Sequence, residues 1–530
     1  MYLPGIDAIL RGLVPFRDFF HLRGAFELYV PALMMKALGV NVSTLELYFY
    51  AGTVAGLLMC VLIAKEIFKT RLILYLFVLV VTARTFPRVV FTYWGGMRYA
   101  LGLLALWCVI KYFKGQKSIW MLGAGIIAAC GLLTSVEIGI ASIVAISGAL
   151  LFSVAFKLEK RKAFLKNLGI FLGGCAIVGI PYCVYLLATG SLYPFIESLY
   201  TVVFSFPKVI NNRFASVYPT NLAELIVAMV NPIGENFRHM TPLYTYIFFL
   251  VYLWRAPLKK KAQATHLGLL SLTLYGGVIF YAAISNLYGA RHEMALQPEK
   301  IVLFFIFEGA YLLALEKRRN FMAHAAPVDV RNRNNIKCWL VNAVIFFFVA
   351  FSIGYSLDRY NKRFFAFKFL KNLAAGKPFS AVQPLDPAES KALTIERARG
   401  MVVPAAQADE LETVVNFIQK NTKPGEAVFM YPELGAYSFL AGRPFVGRFP
   451  MATFAWFNDN WHKELFAQLT TQKPRVAVVA KSFWPDQEKI YFAREDNRRK
   501  YDEVMNLIRA HYDLVLTAPE SYIYVLKASR

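Results

Sequence analysis

The sequence predicts a polytopic α-helical membrane protein with a C-terminal α/β domain outside the membrane. Three observations lead to this fold class. The 530 residues are 57% hydrophobic and only 17% charged, with a mean hydropathy of +0.45. The apolar residues gather in runs of about twenty, the length that crosses a bilayer as a helix. Lys and Arg are concentrated in every second connection between these runs, and the chain after 358 instead alternates helical and strand patterns.

The apolar runs predict about ten membrane-spanning helices, several of them short or interrupted by glycine. The predicted spans cover residues 45–64, 72–84, 98–113, 118–134, 138–156, 167–189, 241–254, 265–288, 300–315 and 338–357. Basic residues occupy the connections 65–71, 111–117, 157–166, 255–261 and 317–337. The positive-inside rule places these connections in the cytoplasm, at the inner (plasma) membrane. The alternate connections and everything after 358 are then extracytoplasmic.

The formal net charge of +24 prompts a comparison with nucleic-acid-binding proteins. The basic residues are confined to short connections between apolar runs, where they set topology and meet lipid headgroups. The sequence therefore predicts membrane lipids, and not nucleic acid, as partners. The six cysteines lie within or beside apolar runs, so we expect small packing residues and no disulfide framework.

These patterns divide the chain into three parts. Residues 1–44 form an extracytoplasmic loop with an interface helix, 45–357 a transmembrane helical domain, and 358–530 a soluble extracytoplasmic domain. The last part has helical patterns at 409–421, 460–471 and 501–512 and strand patterns at 427–431, 473–480, 512–517 and 522–527. Such alternation is typical of a small α/β domain. It has no glycine-rich phosphate loop and no triad or metalloprotease motif, so we expect an accessory role.

Polar residues are densest in the segment 12–29, GLVPFRDFFHLRGAFELY, on the extracytoplasmic side. It combines four phenylalanines with Arg17, Asp18, His21 and Arg23. In one interpretation this is an interfacial loop, whose arginines reach headgroups and whose Asp18 pairs with a neighbouring arginine. In the other it is an active-site loop, where Asp18 is the general base on an acceptor hydroxyl or amine. Arg17, His21 or Arg23 would then neutralise a phosphate leaving group.

The segment 12–39 resembles the first extracytoplasmic loop of the GT-C glycosyltransferases. More narrowly, it is similar to the bacterial relatives of protein O-mannosyltransferases and lipid A aminoarabinose transferases. The matching residues, in order, are Gly12, Pro15, Phe16, Arg17, Asp18, Phe19 and His21. The apolar stretch 28–38 matches the interface helix that follows this motif in the family. Over the remainder the resemblance is one of layout, with about eleven spans and a trailing extracytoplasmic α/β domain.

Two departures from the family pattern bear on these expectations. The family usually carries an acidic pair just after its first helix as the chief catalytic base, whereas here only Asp7 precedes the motif. Either the natural chain begins upstream with a further helix, which we expect, or this copy of the enzyme is inactive. The double proline of the eukaryotic members is replaced by Arg23 and Gly24, which argues against a mannosyl-specific assignment.

The predicted loop 84–97 adds cations on the outer face. Arg88 lies within its aromatic sequence RTFPRVVFTYWGGMR, and Arg98 ends it. Basic residues on the outer face go against the positive-inside bias. Donor-phosphate binding and headgroup binding both account for basic residues at this place.

Three more candidates lie near other span ends on the same side. Glu137 follows Ser135 at a helix start, so it is either a helix cap or a second catalytic carboxylate. Arg291 and His292 fall in the predicted loop 289–299. The resemblance implies phosphate contacts there, and an ordinary surface loop is the alternative.

Together these features predict an inverting glycosyltransferase that uses a polyprenyl-phosphate sugar and a lipid, glycan or protein acceptor. Nucleotide sugars are scarce outside the cytoplasm, so the donor must be lipid-linked. A carboxylate deprotonates the acceptor while cations stabilise the departing phosphate. No cofactor is specified, although a divalent metal would fit. The alternatives are a polymerase or ligase of lipid-linked oligosaccharide, and a transporter or flippase, which should show internal repeats and mid-span charges.

Overall fold

A computed structural model describes residues 2–85, 97–156, 159–201, 235–258, 264–284, 290–323, 339, 342–343, 345–359, 389–481, 491–492 and 494–528. The described chain is mostly helical, and it divides into two compact units, each assembled from separate stretches of sequence. Unit 1 comprises Met1–Tyr48, Ile180–Leu225 and Leu385–Arg530, and unit 2 comprises Phe49–Gly179 and Ile226–Pro384.

The described residues before 360 are mostly α-helical. The helices are α1 (Tyr2–Leu10), α2 (Phe26–Leu38), α3 (Val42–Ile67), α4 (Arg71–Thr85), α5 (Met97–Gly115), α6 (Ser118–Thr134), α7 (Val136–Ala155), α8 (Arg161–Ala188), α9 (Leu192–Tyr200), α10 (Glu235–Leu258), α11 (Ala264–Ile284) and α12 (Ala290–Ala323). Residues 345–359 are also helical. Where the structure describes them, the apolar runs that the sequence marks as spans are almost entirely helical.

Within the described ranges, α3, α7, α8 and residues Ala264–Ala282 of α11 are long and apolar enough to cross a membrane. Shorter apolar helical stretches occur at Arg71–Ala83, Ser118–Thr134 and Thr241–Trp254. Of the four long helices, α8 is the least covered by protein, with 17% of its most apolar window buried against at least 50% in the others. Its side chains are therefore the ones that we expect to meet lipid.

Local chemistry accounts for several helix ends. Asn41 starts α3, since its Oδ1 accepts the N–H of Thr44 at 2.8 Å. Only Ser135 separates α6 from α7, and its backbone is extended. The two helices approach so closely beyond this turn that a Cβ on Gly139 would lie 2.4 Å from the Cα of Leu132. Small residues allow such backbone approach between membrane helices.

The C-terminal part of unit 1 is built on strands and helices. β1 (Ser390–Ala392) pairs antiparallel with β2 (Val402–Pro404). A second sheet has the order β3-β4-β6-β5, formed by β3 (Phe429–Tyr431), β4 (Val476–Ala480), β5 (Tyr512–Thr517) and β6 (Ser521–Leu526). β3 and β4 run parallel, and the other neighbours are antiparallel. The helices are α13 (Ala405–Asn421), α14 (Ala436–Ala441), α15 (Asp459–Gln472) and α16 (Glu495–His511).

An aromatic core lies beside this second sheet. Tyr431, Phe449, Phe454 and Trp461 belong to it, and so does Phe20 from the first loop. Buried aromatic rings dominate core energetics because each removes a large apolar area from water. The first loop therefore folds as part of the same unit as the C-terminal residues.

The structure differs from the sequence prediction in three connections. The sequence predicts one interface helix in residues 1–44, whereas the structure has α1 as well as α2. Pro4 makes α1 look irregular in sequence, but proline is tolerated in a first turn. The structure also places α9 inside the predicted loop 190–240, and it begins α12 within the predicted loop 289–299. Segments this short carry a weak periodic signal, so tertiary burial decides them.

Candidate functional site in the first loop

Residues 14–19 form a tight turn that fixes the side chain of Asp18. The Asp18 N–H donates to the carbonyl of Val14 at 2.9 Å, and the Val14 N–H donates to Asp18 Oδ2 at 2.7 Å. Phe16 adopts a left-handed φ of 69°, and its N–H donates to the carbonyl of Phe19 at 2.8 Å. That conformation costs a non-glycine residue about 1 kcal/mol or more. The surrounding contacts must therefore impose the turn.

Arg17 engages both carboxylate oxygens of Asp18. Its Nε donates to Oδ1 at 2.7 Å and its Nη2 to Oδ2 at 2.7 Å. These hydrogen bonds from Arg17 lower the pKa of Asp18, against the opposing effect of partial burial. Asp18 is thus ionised at neutral pH, and 24% of its side chain remains exposed. It can act as a base only if an acceptor hydroxyl replaces part of the Arg17 contact.

The loop is seated on the helices that follow the long apolar helix α8. Arg17 Nη1 donates to the carbonyl of Thr189 at 3.2 Å, just past the end of α8. Carbonyls at that position lack helical partners, so an arginine there satisfies a vacant acceptor. The ring of Phe16 meets Phe195 of α9 edge-on, with centroids 5.0 Å apart.

Phe19 and Phe20 attach the loop to the C-terminal residues. The Phe20 N–H donates to the carbonyl of Arg448 at 2.6 Å, and its ring lies 4.6 Å from Trp461. Phe19 contacts Phe445 at 6.5 Å between centroids. The phenylalanines of the motif are therefore packed into protein, in contrast to a loop that only rests on lipid.

His21 and Arg23 point into unit 1. Arg23 Nη1 donates to Glu27 Oε1 at 3.0 Å and contacts the hydroxyl of Tyr2. His21 is 1% exposed, and neither ring nitrogen has a hydrogen-bond partner among the described residues. Burial lowers the pKa of His21 well below its usual range, and the charge of Arg23 adds to this. A neutral imidazole can donate a hydrogen bond to a phosphate but cannot neutralise its charge.

Asp7, the acidic residue that precedes the motif, is held by two arginines. Its Oδ2 accepts Arg11 Nε at 2.7 Å, and its Oδ1 accepts Arg397 Nη1 at 2.8 Å. Only 8% of its side chain is exposed. These contacts join α1 to the C-terminal residues, and they give the carboxylate of Asp7 a structural role.

Two further candidates pair with each other in unit 2. Arg98 Nη1 lies 3.2 Å from Glu137 Oε1, and Arg98 is fully buried. The hydroxyl of Ser135 donates to the same oxygen at 3.4 Å, while Ser135 itself makes no side-chain cap bond. Glu137 is therefore an ion-pair partner of a buried cation.

The remaining predicted phosphate ligands are not placed as side chains. Arg88 lies outside the described residues. The backbone of Arg291 and His292 lies in the first turn of α12, in place of the predicted loop, and their side chains are outside the description. The structure thus pairs Arg17 with Asp18 and Arg23 with Glu27 in unit 1, and Arg98 with Glu137 in unit 2.

Comparison with solved structures identifies the fold. The crystal structure of ArnT from Cupriavidus metallidurans bound to undecaprenyl phosphate matches with a TM-score of 0.50 and 11% identity, over 100% of this chain and 93% of that chain. ArnT is a lipid A aminoarabinose transferase with the GT-C architecture. The chain has the GT-C fold. The apo state of the same enzyme matches with a TM-score of 0.46 and 11% identity, over 99% of this chain and 92% of that chain.

Neither a family model nor a curated protein matches the chain by sequence. The GT-C fold and the long apolar helices make it a membrane protein. In the part of the chain that the structure describes, no group of three or more His, Cys, Asp or Glu side chains could hold a metal ion.

Sequence reasoning missed a polar clamp in unit 1, formed by Glu197, Trp461 and Arg448. Trp461 Nε1 donates to Glu197 Oε1 of α9 at 2.9 Å, and Arg448 Nη2 lies 3.5 Å from the other oxygen. The clamp joins α9 to the residues that also hold Phe20. A lone Glu in the apolar sequence LYPFIESLY is the signal that could have drawn attention to it.

A second missed residue lies inside a predicted span. Glu308 of α12 is 2% exposed, and its Oε1 accepts the N–H groups of Lys69 and Thr70 at 2.8 and 2.6 Å. The Thr70 hydroxyl donates to the same oxygen at 2.8 Å. Glu308 therefore caps the start of α4 from a neighbouring helix, as an N-cap carboxylate does. A carboxylate inside a predicted span would otherwise suggest a transport pathway. The contacts of Glu308 with the connection 65–71 give this carboxylate a structural role instead.

Glu433 is a third residue that the sequence did not single out. It follows β3 with a left-handed φ of 64°, and Tyr491 donates its hydroxyl proton to Glu433 Oε1 at 2.9 Å. Burial raises the pKa of Glu433. The strain and the polar contact mark this turn as closely constrained, and the sequence PELG after a predicted strand is its local signature.

Proposed function

We propose that this protein is a membrane glycosyltransferase that takes its sugar from a polyprenyl-phosphate donor and passes it, with inversion, to an acceptor hydroxyl or amine. The observation that carries the proposal is the first loop. Arg17 holds the ionised carboxylate of Asp18 there and also contacts the carbonyl of Thr189, just past the end of a long apolar helix, in a chain with the GT-C fold. The undecaprenyl phosphate bound to ArnT supports a lipid-linked donor of the same class here.

The proposed chemistry follows from charge balance. The acceptor oxygen or nitrogen forms a bond to the anomeric carbon while the bond from that carbon to the phosphate oxygen breaks. The acceptor proton passes to Asp18, and the electron pair leaves with the lipid phosphate. Arg17 donates to both oxygens of the carboxylate, and in the proposed reaction its planar guanidinium takes up two oxygens of the departing phosphate instead, because carboxylates and phosphates both accept such paired hydrogen bonds. Stabilising charge that develops on the leaving group lowers the barrier directly.

The other candidate groups take supporting roles in this proposal. His21, being neutral, is a hydrogen-bond donor to the phosphate, while Arg23 contributes charge. Glu137 is the alternative carboxylate, and Arg88, Arg98, Arg291 and His292 are further proposed donor-phosphate contacts.

Topology completes the proposal. The basic connections 65–71, 111–117, 157–166, 255–261 and 317–337 are proposed to face the cytoplasm. Residues 1–44 and 358–530 then face the other side of the inner membrane, around the spans of 45–357. On that side a flipped lipid-linked sugar is the available donor. The acceptor is a lipid, glycan or protein that reaches the same face.

The test is donor choice. Purified protein in lipid nanodiscs is offered polyprenyl-phosphate sugars and, separately, the matching nucleotide sugars, with a panel of lipid, glycan and peptide acceptors. We expect sugar transfer and release of free polyprenyl phosphate only from the lipid-linked donors. Transfer from a nucleotide sugar alone, or no release from any lipid-linked sugar, would contradict the proposal.

A further inference from the structure

Helix α9 has one exposed face, and that face is apolar. Tyr193, Ile196 and Tyr200 are 77%, 53% and 62% exposed. At 3.6 residues per turn their spacing keeps them within about 60° of one another around the helix. The opposite side carries Phe195, which meets Phe16, and Ser198, which is buried.

The position of α9 in the chain says what covers this face. It begins four residues after α8 ends at Ala188, with Gly190 in the connecting turn at a φ of 68°. The last turns of α8 expose Ile180, Val184 and Leu187, again a single apolar stripe. A lipid-facing stripe that continues into a short helix with tyrosines at both ends is typical of a helix that leaves the bilayer and turns along its surface.

Charge placement fits the same occupant. The carboxylate of Glu197, which flanks the exposed face, is taken up by Trp461 and Arg448 and does not project outward. The exposed face of α9 therefore presents aromatic and aliphatic groups without a charge. Tyrosine rings settle at the headgroup level because one end is apolar and the other can stay hydrated.

We infer that α9 lies in the surface of the lipid bilayer, with Tyr193, Ile196 and Tyr200 inserted among the lipids at the point where α8 emerges. The partner of this face is phospholipid, and not a second copy of the chain. On the inner face of α9, Phe195 packs against Phe16 of the first loop. Just before α9, the carbonyl of Thr189 accepts a hydrogen bond from Arg17. The seating therefore fixes the depth of Asp18 relative to the headgroups. The position of α9 in the bilayer surface does not depend on the proposed function. The conclusion that this position sets Asp18 at the level of a lipid-linked donor rests on the proposed function.

The experiment is photocrosslinking in proteoliposomes of phosphatidylethanolamine and phosphatidylglycerol. The full chain carries Ile196→p-benzoylphenylalanine or Tyr193→p-benzoylphenylalanine, and mass spectrometry identifies what the probe captures. Leu514 on β5 is the matched control, since it is a 50% exposed apolar residue in the C-terminal sheet. We expect phospholipid adducts from positions 193 and 196 at least tenfold above those from Leu514→p-benzoylphenylalanine.

Three results would overturn the inference: adduct yields equal to the control, adducts between two copies of the chain, or capture of water alone. Two probe positions guard against one variant that fails to fold. Because no donor or acceptor is added, this result is independent of glycosyl transfer. If lipid adducts form but the protein transfers no sugar, the position of α9 in the bilayer surface is supported and the proposed reaction is contradicted.

Discussion

Replacing Asp18 by asparagine tests the candidate site most directly. Asp18→Asn keeps the size of the side chain and an oxygen that can accept the Val14 N–H, which is 2.7 Å from Oδ2. It removes the negative charge and one of the two oxygens that Arg17 engages. The change therefore spares the turn and eliminates the base.

The expected magnitude follows from the role. A positioned general base contributes roughly 10²–10⁴-fold to rate, so turnover per folded molecule should fall by about that factor. The melting temperature should change little, because the Arg17–Asp18 pair is partly exposed and such pairs contribute little to folding. The assay is initial rate with saturating lipid-linked donor, divided by the monodisperse fraction in detergent.

Asp7→Asn is the matched control, since it makes the same chemical change in the same unit. Asp7 is bonded to Arg11 and Arg397 and is nearly buried. Weakening two hydrogen bonds to charged groups should cost about 1–3 kcal/mol of folding free energy. Asp7→Asn should therefore lower the melting temperature and keep the rate per folded molecule. If Asp18→Asn keeps near-full specific activity, Asp18 is a structural residue of the turn, and Glu137 becomes the carboxylate to test.

The pH dependence provides a second readout on the same pair. Arg17 lowers the pKa of Asp18 in the folded protein. The stability that this pairing gives the folded protein is therefore present above the ordinary carboxyl pKa and is lost as the pH falls through the lowered pKa. The acid limb of the rate profile should lie below the ordinary aspartate range. Arg17→Ala should move that limb to higher pH as well as weaken donor use. An unchanged limb in Arg17→Ala would refute the assignment of the limb to Asp18.

Two predictions concern the helical unit. Glu308→Gln should lower stability by about 1–3 kcal/mol, measured by thermal unfolding in detergent, because a buried charge-assisted cap on α4 becomes a neutral one; an unchanged melting temperature would mean that the cap contributes nothing. Gly174→Ala should destabilise, since its Cβ would lie 2.4 Å from the carbonyl of Leu122, whereas Gly173→Ala, with nothing within 4 Å, should not. Equal effects of the two alanines would contradict the close packing of α6 on α8.

The elements of this protein could largely be read from local pattern. Where they are described, the apolar runs are almost entirely helical, and helical and strand periods locate α13, α15 and the strands of the larger sheet within four residues. The helix predicted at 501–512 corresponds to α16, which begins six residues earlier at Glu495. A helix, α2, covers the residues 28–38 at which the sequence predicts an interface helix. The two short helices α1 and α9 were not predicted, because nine residues cannot form a stable helix without the tertiary contacts that bury one face.

Local sequence pattern could not predict which of the site residues pair with each other. The composition of the first loop permits Asp18 to pair with either Arg17 or Arg23, and only the fold assigns Arg17 to Asp18 and Arg23 to Glu27. Similarly, His21 could have been a cation, and its burial makes it neutral. Side chains of similar chemistry compete for one partner, and the backbone geometry of the turn selects among them.

By itself, the sequence determined the membrane class, the helical runs, the alternation of basic connections and the place of the polar loop, since each depends on composition and period along the chain. Only the tertiary structure decided which distant residues meet. It packs Phe20 against Trp461, ties Asp7 to Arg397 and caps α4 with Glu308. These contacts join positions hundreds of residues apart. They depend on how buried surfaces pack and on which polar groups must be satisfied inside, and neither leaves a periodic trace in the chain.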